Sequence, residues 1–426
     1  MQEDENNIID NKATDNNIQK YIFNFYAIFI MAFIPLFITP WRTDIFNDYR
    51  IIAVVVVSAI VFIITFYYRK QYEIKLLDKL LFIYAAILIL STIFSKEMNL
   101  SLFGLPRCRE GIFSLLTYLI IFTIFYKNFH FSKKSLNIIL ISASIIAIYG
   151  ILQYFKINPI LNVANNEFRG SVTSTIGQRN FVGTYCTLFI PIFLGLFIHN
   201  GKKRYFIVNM LMIGLMFSST TRSSWIAFVF YSLIFIIYCL INIKNNKKFI
   251  ARFSLLLITL VLIFSFMNFK NKDMLTNRAK TVYTDARNID NDDSGSSRIF
   301  IWKKAIPFLF KNPILGSGPD TYNLVLNDAE SKKRALYFKA HNEYLQIAIT
   351  EGYLALAVYI SFVLVILFRL FKSRKKGIHI WILFGCITGY LIQAFFNISF
   401  IATAVIYWAI LGIAANYSEG KACENK

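Results

Sequence analysis

Long runs of apolar residues, each broken by a short polar link, recur from one end of the chain to the other. They fall near 21–39, 51–68, 80–95, 111–126, 136–154, 177–198, 205–218, 223–243, 251–269, 351–371, 378–395 and 399–417. The runs are continuous rather than alternating, so each predicts a helix and not a strand with one polar face. Apolar runs of about 17–25 residues match a bilayer core, where only helices and closed barrels satisfy their own backbone groups. The pattern predicts an all-α polytopic membrane protein of about twelve transmembrane helices, nine over 21–269 and three over 351–417.

One polar stretch, 270–350, is too long to be a link and predicts a large helical loop between spans nine and ten. Its part 281–296 is acidic and is expected to be mobile. Asp290, Asp292, Ser294 and Gly295 resemble the start of a calcium loop, but Ile301 stands where a bidentate Glu is required, which excludes it. A helix then starts with Ser296 or Ser297 as N-cap, puts Ile299, Trp302, Ile306 and Leu309 on one face, and ends at Lys311-Asn312-Pro313. Gly316-Ser317-Gly318-Pro319 predicts a tight turn, and it lacks the Lys-Ser/Thr of a phosphate loop. A second amphipathic helix, expected over 321–337, leads to His341. Residues 1–20 are acidic and Asn-rich and predict a disordered tail ahead of an uncleaved first span, and 418–426 form a short second tail.

Composition narrows the class. The chain has 426 residues, of which 56% are hydrophobic, above the roughly 45–50% of soluble domains. A net charge of +21 invites a nucleic-acid reading, but the basic residues gather on alternate links instead of forming one stripe. Examples are Lys75 and Lys79, Lys133 and Lys134, Lys202 to Arg204, Lys247 and Lys248, and Arg374 to Lys376. Positive-inside bias accounts for them, places both termini in the cytoplasm and puts 270–350 outside. Five scattered cysteines include no CxxC and predict neither a disulfide framework nor a metal site.

On this topology His341 is the only external histidine of four. An imidazole titrates near neutrality and can take a proton from a sugar hydroxyl, although a capping or structural role is the commoner fate of such a residue. Arg222 lies at the outer end of a helical hairpin, where it either faces a polar cavity or snorkels to a lipid headgroup. Arg298 falls in the first turn of the loop helix, where free N–H groups and a guanidinium suit a phosphate, or where a nearby Asp pairs with it. Arg107, Arg109 and Arg179 also break the positive-inside trend, as headgroup ligands or as helpers at the same anion.

Several motifs together resemble the O-antigen ligase and O-antigen polymerase (Wzy-type) superfamily of bacterial membrane glycosyltransferases. They are Ser219-Thr220-Thr221-Arg222-Ser223, Ser297-Arg298 followed by Trp302, Asn312 to Pro319, and His341-Asn342-Glu343-Tyr344-Leu345-Gln346 with Glu351-Gly352. Arg109-Glu110-Gly111 and Gly177-Gln178-Arg179-Asn180 match upstream signatures, while Ser223 departs from the usual glycine or alanine. The resemblance implies a GT-C-like fold in the bacterial cytoplasmic membrane and an extracytoplasmic site. It implies inverting, metal-independent and cofactor-free transfer of a glycan from undecaprenyl diphosphate to a saccharide, lipid or protein acceptor. On that basis Arg222 and Arg298 would hold the diphosphate and His341 would act as general base, with Arg109, Arg179, Asn180 and Asn342 as auxiliary candidates. Polymerisation of repeat units is the alternative, and transport of a lipid-linked sugar is a further one disfavoured by the lack of paired, interrupted spans.

Overall fold

The computed structural model describes residues 17–39, 46–68, 73–106, 108–157, 172–242, 247–287, 298–327 and 338–419. Ahead of the polar segment stand α1 (Asn17–Leu36), α2 (Asp48–Tyr67), α3 (Leu76–Ile93), α4 (Met98–Phe103), α5 (Ile112–Lys127), α6 (Lys133–Tyr154), α7 (Arg179–Asn200), α8 (Lys203–Ser218), α9 (Arg222–Ile241) and α10 (Lys248–Lys270). The segment itself carries α11 (Met274–Arg287), α12 (Arg298–Ala305), α13 (Tyr322–Asn327) and α14 (Glu343–Thr350), and α15 (Tyr353–Lys372), α16 (Ile378–Phe395) and α17 (Ile401–Ser418) follow. Among the described residues every regular element is helical.

Each of the twelve apolar runs is a helix, but ten, not twelve, are long and apolar enough to cross a membrane among the described residues. The other two, α5 and α8, have 16 residues each, which rise only about 24 Å against a core of roughly 30 Å. For α5 the cause is local, because the chain ahead of it is folded back on itself. A Cβ on Gly104 would stand 2.5 Å from the Glu110 amide, so the helix begins only at Ile112.

Two expectations for the polar segment change. The stretch expected to be mobile over 281–296 begins as helix, since α11 runs to Arg287; the rest of it, with the caps Ser296 and Ser297, lies outside the described residues. The second amphipathic helix is described over Tyr322–Asn327, and 328–337 lie outside, as do Arg107, 1–16 and 420–426.

Helices α7 and α17 are almost wholly wrapped by protein, α10 hardly at all. Small residues on α17 allow the closest approach: a Cβ on Gly412 would meet the Phe122 carbonyl of α5 at 2.6 Å. At one end of the bundle a charged knot joins α3, α5, α15 and α17. Lys127 pairs with Asp78 at 2.6 Å, and Glu419 takes both Lys75 and Arg369 at 2.9 Å. Lys127 and Asp78 are 3% and 1% exposed, so removing one partner would cost on the order of 3–5 kcal/mol by stranding the other.

The opposite end is closed by the polar segment. Ser317 and Gly318 donate to the carbonyls of Ile349 and Thr350, and Tyr353 donates to that of Pro313. Gly316 at φ +69° and Gly352 at φ +93° lie so close across this junction that a Cβ on either would strike backbone. Asp320 then accepts from the amides of Leu105 and Glu110 and pairs with Lys339, tying the loop before α5 to the segment that carries His341.

Candidate active site

The turn between α8 and α9 presents Arg222. Thr220 there has φ 51°, Thr221 Oγ1 donates to the Arg179 carbonyl at 2.9 Å, and Ser224 Oγ donates back to Thr221 O. Gly183 of α7 admits this turn, because a Cβ would stand 2.9 Å from the Thr221 side chain. The guanidinium of Arg222 is 9% exposed and turns inward to protein, donating to Thr281 Oγ1 at 3.0 Å and pairing with Asp285. Both partners ride on α11. The same helix brings Arg278, whose Nε donates to the Thr220 carbonyl at 3.3 Å.

Arg298 opens α12 beside them. Burial, and then the charges of Arg222, Arg278 and Arg179, push its guanidinium down to about 10. Arg278 is lowered in the same way, by burial and then by Arg222 and Arg179, with Asp285 acting in the other direction. Such mutual depression requires like charges in one poorly solvated neighbourhood. Four guanidiniums therefore converge, two of them named by the hairpin and loop motifs and one by the signature at the start of α7.

His341 belongs to the same neighbourhood. Burial lowers its ring to about 4, and the charges of Arg298 and Lys339 add to the effect. Its φ is 49°, a left-handed conformation uncommon outside glycine, asparagine and aspartate. The flanking residues hold it there. Trp302 Nε1 donates to the Ala340 carbonyl at 2.9 Å, the Ala340 amide donates to Gln346 Oε1 at 3.0 Å, and Asn342 Oδ1 caps α14 by accepting from the Leu345 amide at 3.0 Å. The buried Nδ1 of His341 has no partner among the described residues.

The auxiliary candidates separate. Arg179 contributes its charge to the cluster, Asn342 is the cap, and the Asn180 carbonyl accepts from Thr184 and Gln393. Arg109 stands apart, its guanidinium spent on Asp48 through bonds of 2.7 and 2.9 Å.

A second polar compartment adjoins the first. Lys339 and Glu343, two residues before and after His341, line a chamber with Glu110, Gln346 and Glu351, whereas His341 and the four arginines are not among its walls. Tyrosine hydroxyls hold the carboxyls: Tyr118 donates to Glu110 at 2.6 Å, Tyr390 to Glu343 at 2.9 Å and Tyr84 to Glu351 at 3.1 Å. Burial raises Glu110 and Glu343 to about 7 and Glu351 to about 8.

Residues 207–360 match the O-antigen ligase family. That stretch is similar to the O-antigen ligase domain. The chain is also 24% identical, over 287 residues, to the ComP-specific O-oligosaccharyltransferase of Acinetobacter baylyi (strain ATCC 33305 / BD413 / ADP1), covering 64% of this chain and 48% of the relative. It thus spans about half the length of that curated relative.

The matched stretch holds Arg222, Arg278, Arg298 and His341, while Arg179 and Glu110 come from earlier in the chain. Sequence reasoning missed Arg278, Thr281 and Asp285, which fall where a mobile segment was expected or just before it. The available signal was their i, i+3, i+7 spacing, which puts all three on one face of a helix. It also left Glu110, Glu343 and Glu351 without a role, although each stands inside a quoted motif.

Proposed function

We propose that this protein is an O-antigen ligase-like glycosyltransferase that moves a glycan from undecaprenyl diphosphate to an acceptor hydroxyl at the outer face of the bacterial cytoplasmic membrane. One observation carries the reading. Four guanidiniums and an imidazole share one electrostatic neighbourhood in which Arg298 feels the other three and His341 feels Arg298, with Asp285 paired to Arg222.

The chemistry follows from that arrangement. The acceptor oxygen attacks the anomeric carbon from the side opposite the diphosphate, the carbon–oxygen bond to the diphosphate breaks, and configuration inverts. Guanidiniums stabilise charge growing on the leaving diphosphate, the part otherwise taken by a metal ion. His341 accepts the hydroxyl proton at its unpartnered Nδ1. At about 4 the ring is neutral and so able to accept, but weakly basic. A bound diphosphate offsets the charge of Arg298 and raises that basicity, so the base strengthens when donor is in place. The oligosaccharyltransferase relative supports transfer of a preformed oligosaccharide over polymerisation of single repeats.

The test is full-length protein reconstituted with an undecaprenyl diphosphate-linked glycan and a glycan acceptor. Release of undecaprenyl diphosphate is expected, with a loss of about 10²–10³ in rate for Arg298→Ala. Undiminished release by that variant would overturn the reading.

A further inference from the structure

Gln346 shows what the glutamate chamber is for. Its Oε1 accepts the Ala340 amide at 3.0 Å, which settles the way the side-chain amide faces. Gln346 lines the chamber, and its Nε2, buried on a residue 8% exposed, meets no acceptor among the described residues. Buried donors are almost always satisfied, so an unpartnered one on a residue that lines a chamber marks a place where something else supplies the acceptor.

The other walls define that partner. Glu110, Glu343 and Glu351 offer carboxyl oxygens, each touched by a tyrosine hydroxyl. The ammonium in the wall, Lys339, is committed to Asp320. Leu115, Ile347 and Trp408 supply apolar surface. An anion would meet three carboxyls here, so the chamber rejects what the arginines attract. A hydroxyl group suits both sets of atoms, donating to carboxyl oxygens and accepting from the amide, and sugar rings present such groups beside apolar C–H faces.

We propose that this chamber seats a hydroxyl-rich, non-anionic saccharide end of the acceptor. The inference rests on the glycosyl-transfer reading, which places the acceptor hydroxyl at His341, two residues from both Lys339 and Glu343. The raised carboxyls fit it, since at neutral pH they mix protonated and ionised forms and can both donate to and accept from hydroxyls.

The experiment follows the melting temperature of full-length protein titrated with glucose, galactose, N-acetylglucosamine, glucuronate or inorganic pyrophosphate. At least one neutral sugar should raise it in a saturable way and glucuronate should not. Gln346→Glu keeps the oxygen that takes the Ala340 amide and removes the open donor; it should weaken the sugar response about tenfold and leave the pyrophosphate response unchanged. Glu351→Gln, which alters a different wall, should also weaken it. Absence of a response to all three neutral sugars, or a response in both variants as strong as in the unaltered protein, overturns the assignment. A sugar response without any pyrophosphate response would instead remove the arginine reading and leave the chamber standing.

Discussion

The arginine cluster and the glutamate chamber flank one short segment, 338–342, and handle buried charge in opposite ways. Guanidiniums stay charged through any shift of this size, so Arg298, at about 10, remains a cation among three others. An incoming anion would relieve that cluster, in which Asp285 is the carboxylate paired with Arg222 among the described residues. Glutamates can neutralise themselves by taking protons, and at about 7 to 8 those of the chamber partly do. On the proposed reading, the contrast separates a site that suits an anionic ligand from one that turns anions away. Two substrates of unlike charge could not exchange such seats.

The largest effect that would sharpen the contrast belongs to His341, which stands between the two compartments. His341→Ala should lower turnover about 10²–10⁴-fold, with pyrophosphate binding retained because the arginines remain. Turnover within threefold of the unaltered protein would take the ring out of the proton transfer.

Acid and base should break the two regions at opposite ends of the pH scale. His341 is lowered from 6.5 to about 4, so below 6.5 the unfolded chain binds the extra proton. Its contribution to stability is present above 6.5 and lost as pH falls towards 4. Glu351 is raised from 4.5 to about 8, so the folded chain holds the extra proton between these values. Its contribution is full below 4.5 and lost as pH rises through 8. Melting temperatures of the unaltered protein and Glu351→Gln between pH 4 and 9 should therefore diverge with the variant gaining relative stability on the alkaline side; parallel curves would refute the assignment.

A smaller effect concerns the carboxylate inside the cationic cluster. Asp285→Asn removes the group that competes for Arg222, and pyrophosphate should bind about two- to fivefold more tightly, the scale of one partly exposed ion pair. Unchanged or weaker binding by calorimetry would show that Asp285 organises the cluster rather than competing with its ligand.

Much of this could be read in the chain and some could not. Apolar runs announced the helices because a bilayer-sized stretch without polar breaks has few other solutions. The length of α5 was legible, since 111–126 was expected and Ile112–Lys127 is found; what was misjudged is that 16 residues rise only about 24 Å, short of a bilayer core. Helix α11 was passed over because Thr, Arg, Lys, Asn and Asp supply eight of its fourteen residues; packing against the Arg222 turn, through Arg278 and Thr281, is what gives it a place.

Sequence alone determined that this chain is a helical membrane protein, and it marked Arg222, Arg298 and His341 by charges and an imidazole where a bilayer edge makes them costly. That much depends on local composition and period. The tertiary structure alone decided that those three meet Arg179 and Arg278, that Arg109 is spent on Asp48, and that three glutamates gather behind the histidine. Each of those outcomes depends on which distant segments share one volume, and burial and electrostatics act on that volume, not on order along the chain.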